Sequence, residues 1–170
     1  MIFLRSFYIM LFLTGIASCQ KKTQPLDLPQ HLDIVSSNNG STEICLDCQN
    51  QVVVHFNYDK LSLHPFSRVF RWNETKEKYP EVGFVFYFTG RDKEMLKNKL
   101  SEMDFPYPVI HDPSNSFFNK NHLDTISFDN KHFIAYLTKN QQVIEFANIG
   151  MADYFHRQLD QMLEKSNVRP

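Results

Sequence analysis

Eight residues, Val82 to Thr89 (VGFVFYFT), are apolar almost without interruption. A run this short and this continuous has no polar face to show to water, so it predicts a strand buried on both sides, as in a parallel sheet covered by helices. An earlier run, Gln51 to Asn57 (QVVVHFN), is equally short and rich in β-branched residues, and reads as a second strand. Between them, HPFSRVFRWNETKEKYPE sets Pro65 at a first helical position and Phe66, Val69, Phe70 and Trp72 at mostly helical spacing. That predicts one helix ending before Pro80. Strand, helix and buried strand make a βαβ unit, which requires a parallel pair and a right-handed crossover.

The rest of the chain extends this unit. RDKEMLKNKLSEM places Met95, Leu96, Leu100 and Met103 on one helical face. A short strand follows at Tyr107 to Asp112, and then a loop with a helical turn at PSNSFFNKNHL. HFIAYLT and VIEFANI, joined by the polar KNQQ, predict an antiparallel hairpin. ADYFHRQLDQMLEK closes the chain as an amphipathic helix with Tyr154, Phe155, Leu159, Met162 and Leu163 turned inward. Upstream, LDIVSS and STEICLD flank Asn38-Asn39-Gly40, which predicts a β-hairpin with Cys45 in its second arm. The expectation is an α/β fold with a central mixed sheet flanked by helices: a single domain over 51–166, preceded by the hairpin extension over 32–50.

The N-terminus sets the compartment. MIFLRSFYIMLFLTGIASC has one basic residue, an apolar stretch from Phe7 to Leu13 and then small residues up to Cys19, the three regions of a secretory signal over 1–18. The stretch is shorter than the roughly 20 residues of a spanning helix. Ile16-Ala17-Ser18-Cys19 resembles a bacterial lipobox, which implies cleavage before Cys19 and lipidation of that residue. Residues 19–31 read as a polar, proline-bearing tether. Lys and Arg total 18 against 19 Asp and Glu, a balance that gives no attraction to nucleic acid and leaves lipid on Cys19 as the membrane signal. The expected location is the bacterial cell envelope, facing the periplasm.

FPYPVIHDPSNSFFNKNHL followed by HFIAYLTKNQQVIEFANIG resembles the TlpA-type, redoxin-like branch of the thioredoxin fold. With the lipobox, the chain is similar to the thioredoxin-like lipoproteins of the Bacteroidetes envelope. The resemblance implies a Cys-x-x-Cys where the first βαβ strand runs into its helix, because a helix N-terminus stabilises a thiolate. Here Leu61 and His64 fall at those positions, and no cysteine follows Cys48. It also implies a cis-proline before the final hairpin, yet no proline occurs between Ser114 and Arg169. A fold kept without its chemistry is the resulting expectation.

Cys45 and Cys48 stand ahead of the first strand, which predicts a place roughly 20 Å from the usual site, at the other end of the sheet. Three residues in an extended chain span about 10 Å, so a disulfide requires a turn at LDCQ. The pair is open to three readings: structural, redox-active or metal-binding. The last needs two more ligands, and His55, His64, His111, His122 and His132 are the residues that could approach one another. His64 near a helix start has Ser62 and Ser67 for neighbours but no evident triad. Phe117 and Phe118 are adjacent aromatics in a loop, of which one is a candidate partner contact. The sequence thus points to a redox-inactive domain that binds an envelope protein, with no metal or cofactor. The alternative is a divergent thiol-disulfide oxidoreductase using Cys45 and Cys48.

Overall fold

The computed structural model describes residues 25–37, 43–125 and 131–167, with side chains through residue 164. Six strands form one mixed sheet in the order β1-β4-β3-β2-β5-β6. These are β1 (Asp33–Val35), β2 (Asn50–Asn57), β3 (Gly83–Thr89), β4 (Val109–His111), β5 (Phe133–Lys139) and β6 (Gln142–Phe146). β2, β3 and β4 run parallel, while β1, β5 and β6 pair antiparallel to their neighbours. Four α-helices accompany them among the described residues: α1 (Trp72–Lys78), α2 (Lys93–Glu102), α3 (Ser116–Lys120) and α4 (Ala152–Asn167).

The period-two alternation of the central strands divides the core. Val52, Val54 and Phe56 of β2 and Phe84, Phe86 and Phe88 of β3 face one layer, which holds Trp72, Leu96, Leu100, Phe155 and Leu159 from α1, α2 and α4. Val53, Val85, Tyr87, Ile134 and Tyr136 face the other, under Leu26, Phe117 and Leu123. The β5–β6 hairpin turns through Asn140 and Gln141, both at positive φ, as a two-residue hairpin with matching twist demands.

Four expectations are corrected. The single helix from Pro65 is instead a 3-10 turn at His64–Phe66, a second at Arg68–Phe70, and then α1. Phe66 and Trp72 lie six residues apart, about 120° apart around a continuous helix, so one helix could not send both into the core. With the breaks, both are buried and stack at 6.1 Å, while Val69 is left outside. The predicted N-terminal hairpin has only its first arm as a strand, because β1 finds its partner in β4. Glu43 to Cys45 form no strand, and the Asn38-Asn39-Gly40 turn lies outside the described residues. The tether ends before 31: Leu26 is buried, and Tyr87 Oη donates to Pro29 O at 3.1 Å, so an apolar strap begins at Pro25. Tyr154 points outward with Arg157 over its ring, one residue and hence about 100° from inward Phe155.

Candidate functional site

The C-terminal ends of the parallel strands form one pole. Tyr58 leaves β2 and is held by its N–H on Thr89 O at 2.9 Å. Its ring lies so close to Gly90 that a Cβ there would come within 2.3 Å of it. His111 Nε2 lies 2.9 Å from Gly90 O and 3.0 Å from Tyr58 Oη. A carbonyl only accepts, so Nε2 carries the proton and shares it between the two oxygens. Burial pushes the Tyr58 phenol up to about 12, so it remains neutral in ordinary use. Asp112 accepts from the N–H groups of Ser116 and Phe117, both at 2.8 Å. That carboxylate caps α3 and is spent on structure.

Leu61 is half-buried on this pole, and His64 is exposed with its ring 5.8 Å from Phe70. Because His64 opens only a single 3-10 turn, the expected helix N-terminus beside it is absent. No cysteine lies between Asn57 and the end of the chain. Phe133 packs beside Phe66 at 5.9 Å and borders a cavity of about 230 Å³ that runs towards Phe146, Ile149 and Gly150. Phe117 is fully buried and stacked on Tyr87 at 4.4 Å, which removes it as a partner contact and leaves Phe118 as the half-buried member. Among the described residues, no group of three or more His, Cys, Asp or Glu could hold a metal.

The opposite pole holds the cysteines. The chain bends at Leu46 and Asp47, bringing the Cα atoms of Cys45 and Cys48 to 5.5 Å, and the two form a disulfide. Gln51 Nε2 donates to Cys45 O at 3.0 Å, fastening the bend to β2. A Cβ on Gly83 would lie 2.9 Å from Cys48 Cβ and 3.2 Å from Cys48 Sγ, so the bend packs directly on the first residue of β3. Beside it opens a cavity of about 270 Å³ lined by Glu43, Cys45, Lys76, Tyr79 and Tyr107 among others. Lys76 Nζ donates to Pro106 O at 2.8 Å and sits 5.5 Å over the Tyr107 ring. Sequence reasoning missed Gly83, Lys76 and Tyr107. A glycine opening a buried strand marks close approach of another backbone, and that was the available signal.

No protein-family model and no curated protein matches the sequence. Solved structures match in fold. A thioredoxin-like protein in its oxidised form, determined in solution, aligns with a TM-score of 0.58 at 17% identity, over 84% of this chain and 97% of its own. A secreted disulfide oxidoreductase of Mycobacterium tuberculosis, homologous to E. coli DsbE, aligns with a TM-score of 0.52 at 11% identity, over 68% and 84%. An uncharacterized conserved protein from Geobacillus kaustophilus gives 0.50 at 15% identity, over 82% and 84%. The sheet order, the strand directions and these alignments define a thioredoxin-like fold.

Proposed function

We propose that the chain is an envelope protein, anchored through lipid on Cys19, whose thioredoxin-like domain binds an envelope protein at the C-terminal pole and does not exchange thiols there. The observation that carries this reading is the chemistry of that pole: half-buried Leu61 and Phe70 and exposed His64 lie on irregular turns that carry no cysteine, and half-buried Phe133 opens β5 at the same pole. A leucine cannot be a nucleophile. A 3-10 turn supplies no extended row of aligned dipoles to lower a thiol's pKa.

A second reading, a divergent oxidoreductase using Cys45 and Cys48, is favoured by the half-buried disulfide at the rim of a cavity. One assay separates the two. Purified wild-type protein and Cys45→Ser are compared in reduction of a protein disulfide with a dithiol as electron source. The binding reading expects indistinguishable rates near the uncatalysed background. Turnover by wild type that Cys45→Ser abolishes overturns it in favour of the second reading.

A further inference from the structure

We infer that the Cys45–Cys48 disulfide is a one-sided thiol-exchange site: a cysteinyl peptide docks in the adjoining cavity and attacks Sγ of Cys45, with Cys48 as the leaving sulfur. This rests on the pair being open to thiols, as in the second reading, but not on catalytic turnover.

The two sulfurs are not equivalent. Cys45 lines the cavity, whereas Cys48 is backed by β3, with Gly83 against both its Cβ and its Sγ. Access therefore favours Cys45. Asp47 Oδ1 lies 3.5 Å from Cys45 Sγ, a contact and not a hydrogen bond, since a disulfide sulfur has no proton. In thiol-disulfide exchange the negative charge develops on the sulfur that is not attacked, and the better-stabilised thiolate leaves faster. A thiolate on Cys45 would face the Asp47 carboxylate at that distance, so departure of Cys48 is the cheaper course. The same carboxylate repels an incoming thiolate. The cavity wall carries one acid, Glu43, and one base, Lys76, which is held on Pro106 O at 2.8 Å and supplies the positive charge that offsets the repulsion. The cavity of about 270 Å³ is near the lower end for small-ligand sites and suits a cysteine with its neighbouring backbone.

The exchange balances as follows. A peptide thiolate bonds to Cys45 Sγ as the Cys45–Cys48 bond breaks, and Cys48 leaves as a thiolate that takes a proton from solvent. A second peptide thiolate then attacks the peptide sulfur of the mixed disulfide. It releases peptide disulfide and the Cys45 thiolate, so that two thiols are oxidised and one disulfide is reduced.

Reduced glutathione is the probe. The oxidised full-length protein is treated with it, quenched early by acid and alkylated, and each cysteine peptide is read by mass spectrometry. Glutathione should be found on Cys45 and the alkyl group on Cys48, in about tenfold excess over the reverse. Lys76→Glu should slow formation of this adduct about fivefold at low salt, the deficit shrinking as salt is added, while Asp47→Asn should shift part of the adduct to Cys48. Glutathione mainly on Cys48, equal labelling, or no adduct on either cysteine would each overturn the inference. Adduct on Cys45 without turnover in the reductase assay would retire only the second reading.

Discussion

His55 sits in β2 with its ring facing the second core layer, 5.1 Å from Phe118 and 6.3 Å from Phe117. It is 1% exposed, and its Nδ1 has no hydrogen-bond partner. Burial drives its pKa down to about 4, with Asp112 pulling it up and His132 pushing it further down by lesser amounts. Between about 4 and the ordinary value near 6.5, the unfolded chain binds a proton that the folded chain refuses. Stability therefore rises with pH across that window. It is lost as pH falls from 6.5 towards 4, by up to about 3 kcal/mol from this residue. His156 is also lowered by burial and acts in the same direction, so the wild-type curve alone does not isolate His55. His55→Phe does: a ring of similar size removes both the titration and the unpaired nitrogen. The variant should match or exceed wild-type stability at pH 7 and outlast it by a growing margin towards pH 4, as read from urea midpoints. Parallel wild-type and variant curves would contradict the assignment.

The segment from His64 to Lys78 shows how an element is decided by what it must bury. Its short apolar pattern satisfies a helical period locally, which is why a continuous helix is legible there, but the pattern holds no record that Phe66 and Trp72 share one pocket. The break falls at Arg71, a non-glycine residue at φ 51° and ψ 41° that caps α1 without a side-chain hydrogen bond. Its ion pair with Glu74 at 3.4 Å joins two exposed side chains and offsets little of the backbone cost. Arg71→Gly should therefore raise stability by about 1 kcal/mol, measured by denaturant unfolding, because glycine enters the left-handed region without a Cβ penalty. A loss of stability would show that the arginine side chain holds the break in place. By contrast, β2, β3, β5 and β6 were legible because burial on one or both faces is written as local alternation or continuous apolarity. The partner of β1 was not, since Asp33 pairs with His111 across most of the domain and nothing near Asp33 records that register. The same division holds at the candidate sites. The missing cysteine at Leu61 and His64 can be read from the letters, while the cavity beside Cys45 arises from three separated stretches of chain.

At the scale of the whole molecule, the strap from Pro25 decides which way the domain faces if Cys19 carries lipid as proposed. Pro25 bridges to Gln142, and Leu26 N–H donates to Gln141 O at 2.9 Å, so the strap starts beside the β5–β6 turn. That turn lies at the disulfide pole, where Asn140 N–H donates to Gln49 O at 2.7 Å. The six residue steps from Cys19 to Pro25 reach at most about 22 Å. The C-terminal pole stands roughly 23 Å further along β2. Without Arg5 of the signal, the anchored chain has 17 Lys and Arg against 19 Asp and Glu, and so no strong field to reorient it on a lipid surface. The anchor should hold the disulfide pole near the headgroups and present Leu61, His64 and Phe133 away from them. Mass spectrometry of the N-terminal peptide first establishes whether Cys19 is lipidated. An azido side chain installed at Glu81 or at Lys60 then carries a fluorophore at one pole or the other, without disturbing the disulfide. In vesicles holding spin-labelled headgroups, the dye at 81 should be quenched strongly and the dye at 60 weakly. Equal quenching, or stronger quenching at 60, would show that the strap does not set the orientation and would turn the proposed binding pole towards the membrane.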